Sequence, residues 1–90
     1  MEVVKKDIEI LNDAGLHLRP AAMFVQTANK YKNCNIFVIR DSMRVNGKSI
    51  MGLVMLAASK GTILTIECSG EECEKALDDL CTVAANRFGM

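Results

Sequence analysis

The stretch Asn12-Asp13-Ala14-Gly15-Leu16-His17-Leu18-Arg19-Pro20-Ala21-Ala22 marks the point where an apolar strand stops and an amphipathic helix starts. Upstream, Ile8 and Ile10 alternate with Asp7 and Glu9, the period-two pattern of a strand with one buried face. Asn12 to Gly15 are turn formers that break it. Downstream, Ala21, Phe24, Val25, Ala28 and Tyr31 recur at helical spacing, while Gln26, Thr27, Asn29 and Lys30 fall elsewhere. Pro20 suits a first helical turn, whose N–H groups have no intrahelical partner. A strand, a tight turn and a helix packed back on a sheet are therefore expected here.

The same junction carries the chemistry. A helix start offers unpaired N–H groups and partial positive charge, and so accepts an anion. The only histidine, His17, stands there, with Arg19 adding a permanent forked cation suited to phosphate oxygens. Taken singly, a histidine is ordinarily a cap, Arg19 a solvated charge and Pro20 punctuation. Taken together they suggest a phosphoryl group held temporarily on His17, since histidine is a competent nucleophile at neutral pH.

Beyond the helix, Ile36-Phe37-Val38-Ile39 reads as a strand, Arg40-Asp41-Ser42 as a turn and Met43-Arg44-Val45 as its hairpin partner. Asn46 to Ser49 opens a shorter helix, with Ser49 as its cap and Ile50, Leu53, Val54 and Ala57 on one face. Ser59-Lys60-Gly61 closes it, and Thr62 to Cys68 forms the next strand. Ser69 and Glu72 have capping-box spacing for a last helix whose stripe runs Cys73, Ala76, Leu77, Leu80, Cys81, Ala84 and Phe88. The order is βαββαβα, an α+β chain with helices on one side of a sheet whose other side is wet.

Ninety residues make one domain, 1–90, with half the residues apolar. Eleven basic and eleven acidic residues cancel, which points away from nucleic acid and anionic membranes. No apolar run reaches membrane-spanning length, and the first residues lack a signal-peptide core, so the expected location is cytoplasmic. The four cysteines lack C-x-x-C pairs and read as packing thiols, with no metal or cofactor expected. No phosphate-cradling P-loop, carboxylate pair or Ser-His-Asp order is present, so the chain reads as a substrate of enzymes and not an enzyme.

Two strings, Gly15-Leu16-His17-Leu18-Arg19-Pro20-Ala21 and Val45-Asn46-Gly47-Lys48-Ser49-Ile50-Met51-Gly52, resemble the HPr family of bacterial phosphotransferase systems, and the resemblance covers almost the whole chain. It implies an open-faced sandwich with a four-stranded antiparallel sheet and three helices on one face. It further implies that His17 takes phosphate on Nδ1 from enzyme I, the phosphoenolpyruvate-dependent kinase, and passes it to IIA domains of sugar transporters. Leu18 and Arg19 would bind the phosphate, although many members have alanine where this chain has Leu18. Ser49 would be a regulatory site for HPr kinase/phosphorylase, with a transcriptional regulator as a further partner. Met23, Ile50, Met51 and Met55 are the expected docking residues, since flexible thioethers adapt to several surfaces. A shuttle with one face kept free is expected to be a monomer. The alternatives are a nitrogen-branch or regulatory paralogue, and a binding module without phosphoryl chemistry.

Overall fold

A computed structural model describes residues 2–90; Met1, the first residue of the expected domain, lies outside the described residues. The elements are β1 (Val3–Glu9), α1 (Leu18–Ala28), β2 (Cys34–Arg40), β3 (Met43–Asn46), α2 (Ile50–Met55), β4 (Ile63–Gly70) and α3 (Cys73–Ala85), followed by a 3₁₀ turn at Arg87–Gly89. The strands form one sheet in the order β1-β4-β2-β3, every neighbour antiparallel. This is the βαββαβα arrangement with the four-stranded antiparallel sheet that the resemblance implies.

Register explains which side is covered. Ile66 pairs with Lys6 and Val38, and Cys68 with Val4 and Ile36, so Leu64, Ile66, Cys68, Ile36 and Val38 share one buried face. Phe24 from α1, Leu53 from α2 and Leu80 from α3 close over it. The opposite face presents Ile63, Thr65 and Glu67, with the Arg44 guanidinium 3.7 Å from the Phe37 ring centroid and 2.7 Å from Glu67. One apolar and one ionic face are what alternation along each strand produces.

Four local expectations fail, each for an identifiable reason. Ser69 does not cap α3: it stays in β4, paired with Val3 and Asn35, and Glu72 becomes the N-cap at φ 58 without a side-chain cap bond. Sheet pairing wins over the cap. Ala57 does not continue the buried face of α2; the helix stops at Met55 and Ala57 turns left-handed at φ 52, exposed, while Leu56 and Ala58 are buried. The Arg40 guanidinium stabilises that ending by donating to the carbonyls of Leu56 and Ala57 at 2.7 and 3.0 Å. Phe88 is buried, but it arrives through left-handed residues Arg87 and Phe88 and not along the α3 stripe. Thr27 is buried on α1, its hydroxyl donating to the Met23 carbonyl at 3.3 Å.

Candidate functional site

The loop from Asn12 to His17 is tied at several points. The Gly15 N–H donates to the Asn12 carbonyl at 3.1 Å, and the Asn12 side-chain amide donates back to the Gly15 carbonyl. Leu16 N–H donates to the Ala58 carbonyl at 2.8 Å, anchoring the loop to the turn that ends α2. Gly15 adopts φ +76, and a Cβ there would lie 2.5 Å from the Ala58 carbonyl oxygen. Only glycine permits both the left-handed backbone and that approach.

His17 follows as the N-cap residue of α1, in extended conformation, and its side chain makes no cap bond. Its carbonyl accepts the first helical bond, from Ala21 at 3.0 Å. Leu18 and Arg19 therefore hold the N–H groups of the first turn that lack helical acceptors, and Pro20 has none to offer. No acidic residue sits in that turn to neutralise it.

The imidazole is half-buried, in a hollow of about 250 Å³ lined by Ala14, Leu16, Val54, Ala57, Ala58 and Ser59. Among the described residues, the buried side-chain nitrogen and oxygen atoms without a hydrogen-bond partner are His17 Nε2 and Asn12 Oδ1. The ring is thus asymmetric: Nε2 is closed off, and Nδ1 is not.

Arg19 is exposed on the first turn of α1 but faces a different hollow, of about 240 Å³, with Ala22, Met23, Gln26, Phe88, Gly89 and Met90. No carboxylate among the described residues pairs with it. Leu18 is 60 % exposed beside it. Ser49 caps α2, its hydroxyl oxygen accepting from Gly52 N–H at 3.0 Å. Met51 and Met55, one helical turn apart, are exposed, as are Ile50 at the start of α2 and Met23 in the middle of α1.

The cysteines are free thiols: Cys34, Cys68 and Cys73 are buried and Cys81 is half-buried. Burial raises the thiol pKa of Cys34 and Cys81 and pushes that of Cys68 up to about 12. Among the described residues no three His, Cys, Asp or Glu side chains cluster as a metal site would require.

Several residues that shape the site carry no sequence signal for it. Arg40 reads as part of a turn, because the carbonyls it holds are 16 and 17 residues away. Val54 and Ala57 read as core, yet they wall the His17 hollow. Asn12 reads as a turn former but is buried.

Residues 4–86 match the family described as "PTS HPr component phosphorylation site". The phosphocarrier protein HPr of Neisseria meningitidis is 44 % identical over 87 residues, 97 % of each chain. The HPr-like protein Crh of Bacillus subtilis is 44 % identical over 78 residues, 87 % of this chain and 91 % of that one. A crystal structure of HPr-C-His from Thermoanaerobacter tengcongensis superposes with a TM-score of 0.88 at 42 % identity, covering 100 % of this chain and 98 % of the other. With its fold, its histidine-bearing helix start and these relatives in agreement, the chain belongs to the HPr family of phosphotransferase-system phosphocarrier proteins.

Proposed function

We propose that this chain, as a single domain over 1–90, is a phosphocarrier that receives a phosphoryl group on His17 from enzyme I and delivers it to IIA domains of sugar transporters. The observation that carries this reading is the asymmetric ring: His17 stands at the start of α1, spends neither nitrogen on a cap bond, and keeps Nε2 sealed, which reserves Nδ1 for a partner. The Nδ1 lone pair forms the new P–N bond as the donor's bond to phosphorus breaks and its electron pair stays with the donor. The ring proton remains on Nε2. Phosphoryl transfer needs position and positive potential more than covalent help. The Leu18 and Arg19 N–H groups supply the position, and the exposed Arg19 guanidinium in the neighbouring hollow adds positive potential. Delivery is the reverse step with the IIA domain as nucleophile, so the chain is spent and regenerated as a substrate and is not itself an enzyme.

Met23, Ile50, Met51 and Met55 form the docking surface in this reading, their exposed apolar side chains spread from the middle of α1 along the whole of α2. Ser49 is a regulatory site for HPr kinase/phosphorylase. Its oxygen already accepts from Gly52 N–H, so phosphate oxygens would take over the cap while adding negative charge beside Ile50 and Met51. That charge disfavours an acidic docking partner and suits a basic one, such as a transcriptional regulator. A cytoplasmic monomer fits a carrier that presents one surface to successive partners.

The test is incubation with enzyme I and phosphoenolpyruvate, then intact mass before and after acid. One added phosphate, lost in acid and absent from His17→Ala, is expected. An acid-stable phosphate, or one retained by His17→Ala, overturns the reading. The likeness to Crh favours a second reading, a regulatory paralogue with the same His17 chemistry. Adding IIA domains of the sugar and nitrogen branches after loading separates the readings: discharge to the sugar-type domain is expected, discharge to the nitrogen-type domain alone makes the chain a nitrogen-branch carrier, and discharge to neither makes it a purely regulatory paralogue.

A further inference from the structure

The structure assigns a role to Asn12 that rests on the phosphoryl-acceptor reading of His17: we infer that Asn12 is a positioning residue that fixes the His17 peptide for transfer. The Gly15 carbonyl accepts two hydrogen bonds, one from the Asn12 side-chain amide and one from the His17 N–H at 3.1 Å. Asn12 and His17 thus hold the same oxygen, and any shift of the Asn12 amide is passed to the backbone from which the imidazole hangs. Gly15 cannot move independently, because its Cα faces the Ala58 carbonyl and its own N–H is bound to Asn12.

Stability alone does not account for this residue. Asn12 is 5 % exposed, yet its Oδ1 has no partner among the described residues. A buried amide with half its capacity unfilled is a poor stabiliser, since an unsatisfied buried oxygen costs free energy that an apolar residue would not. It shares this condition with His17 Nε2, five residues on in the same loop. What Asn12 does accomplish is geometric, and transfer between proteins depends steeply on the placement of the attacking atom. Asp13, Lys60 and Arg87 line the same cleft as Asn12; Asp13 and Lys60 are paired at 2.8 Å and offset one another, which leaves the Arg87 guanidinium as the remaining side-chain charge.

The experiment compares the full wild-type chain with Asn12→Asp, which keeps the shape but at neutral pH cannot donate, and Asn12→Ser, which keeps a hydroxyl donor. Initial rates of loading by enzyme I and phosphoenolpyruvate are measured over a range of carrier concentrations, with the folded fraction of each protein measured alongside. In Asn12→Asp the maximal rate per folded molecule should fall about tenfold while KM moves by less than about twofold. Asn12→Ser should lie between it and the wild type. The His17 ring resonances of Asn12→Asp should shift while core signals stay in place, a readout that needs no enzyme I. A wild-type rate in Asn12→Asp, equal losses in both variants, a loss confined to KM, or a loss matching the unfolded fraction overturns the inference. If the wild type itself takes no acid-labile phosphate, the acceptor reading fails instead, which keeps the two outcomes apart.

Discussion

The two ends of the sheet differ in how they treat polar groups. At the end where β1 begins and β4 finishes, the Tyr31 hydroxyl donates to Asp79, Lys48 Nζ donates to the Tyr31 carbonyl at 2.7 Å, and Asn33 exchanges bonds with Glu71 through both side chain and backbone. At the opposite end, where β1 runs into the His17 loop, two buried polar atoms have no partner among the described residues, Ala57 is held left-handed, and Leu18 and Met55 face solvent. The first end stabilises the fold. The second gives up part of that stability and leaves donors, a ring nitrogen and apolar surface free, which in the proposed reading serve partners.

A matched glycine pair tests this division most severely. Gly15 and Gly70 lie at opposite ends, both with positive φ, and at each a Cβ would stand 2.5 Å from a carbonyl oxygen, that of Ala58 or of Asn33. Alanine at either position should cost about 2 kcal/mol or more, measured by urea denaturation, because left-handed strain and the close approach act together. Loading with enzyme I should separate them. Gly70→Ala should load at the wild-type rate per folded molecule, whereas Gly15→Ala displaces the His17 peptide and should load slowly. Slow loading by folded Gly70→Ala would show that the ends are not independent.

The sequence made one end easier to read than the other. Strand alternation, the α1 stripe and the break at Asn12 to Gly15 are local patterns, and they sufficed for the order of elements and for which faces are buried. The helix-start positions of His17, Arg19 and Ser49 were legible because a helix start makes chemical demands within four residues. Two of the failures are contests between a local preference and a partner distant in sequence. Ser69 had the spacing of a cap, but β1 and β2 claimed it. Ala57 had the spacing of a core residue, but Arg40 held its carbonyl from across the molecule. Periodicity likewise could not show that Arg19 and His17 face different hollows, since that depends on where the C-terminal turn packs.

Within the stabilising end, Tyr31 allows a finer measurement, because it is the only tyrosine and its absorbance reports one group. Its hydrogen bond to the Asp79 carboxylate, with burial, raises its pKa from 10.0 to about 12. The folded state therefore holds this proton more tightly than the unfolded state. The contribution is complete below pH 10 and is lost as pH rises towards 12. Tyr31→Phe should cost about 1–2 kcal/mol at neutral pH and remove that part of the alkaline loss, with loading of His17 unchanged. A tyrosinate titration at the ordinary value would place the hydroxyl outside the stabilising network.

The smallest expected effect concerns the open face of the sheet, which belongs to neither end. Arg44 lies 2.7 Å from Glu67, and Lys5 adds a contact at 3.6 Å. The hydrogen bond from Arg44 holds the Glu67 carboxyl below its usual range, so this contribution is present at neutral pH and fades as acid protonates the folded state. Glu67 is 16 % exposed but the Arg44 side chain is 53 % exposed, and solvent screening reduces the pair accordingly. Arg44→Ala should cost about 0.5–1 kcal/mol in urea denaturation. The fraction abolished by about 1 M salt measures the pairing with Glu67, since that concentration contracts the Debye length below the separation of loosely held charges. The fraction that persists measures packing of the guanidinium on Phe37, which salt does not screen to the same degree. Loading by enzyme I should be unchanged in both salts relative to wild type, because no residue of this ionic cluster lines the hollows of His17 or Arg19. A slower rate would extend the partner-facing region from one end of the sheet onto its open face.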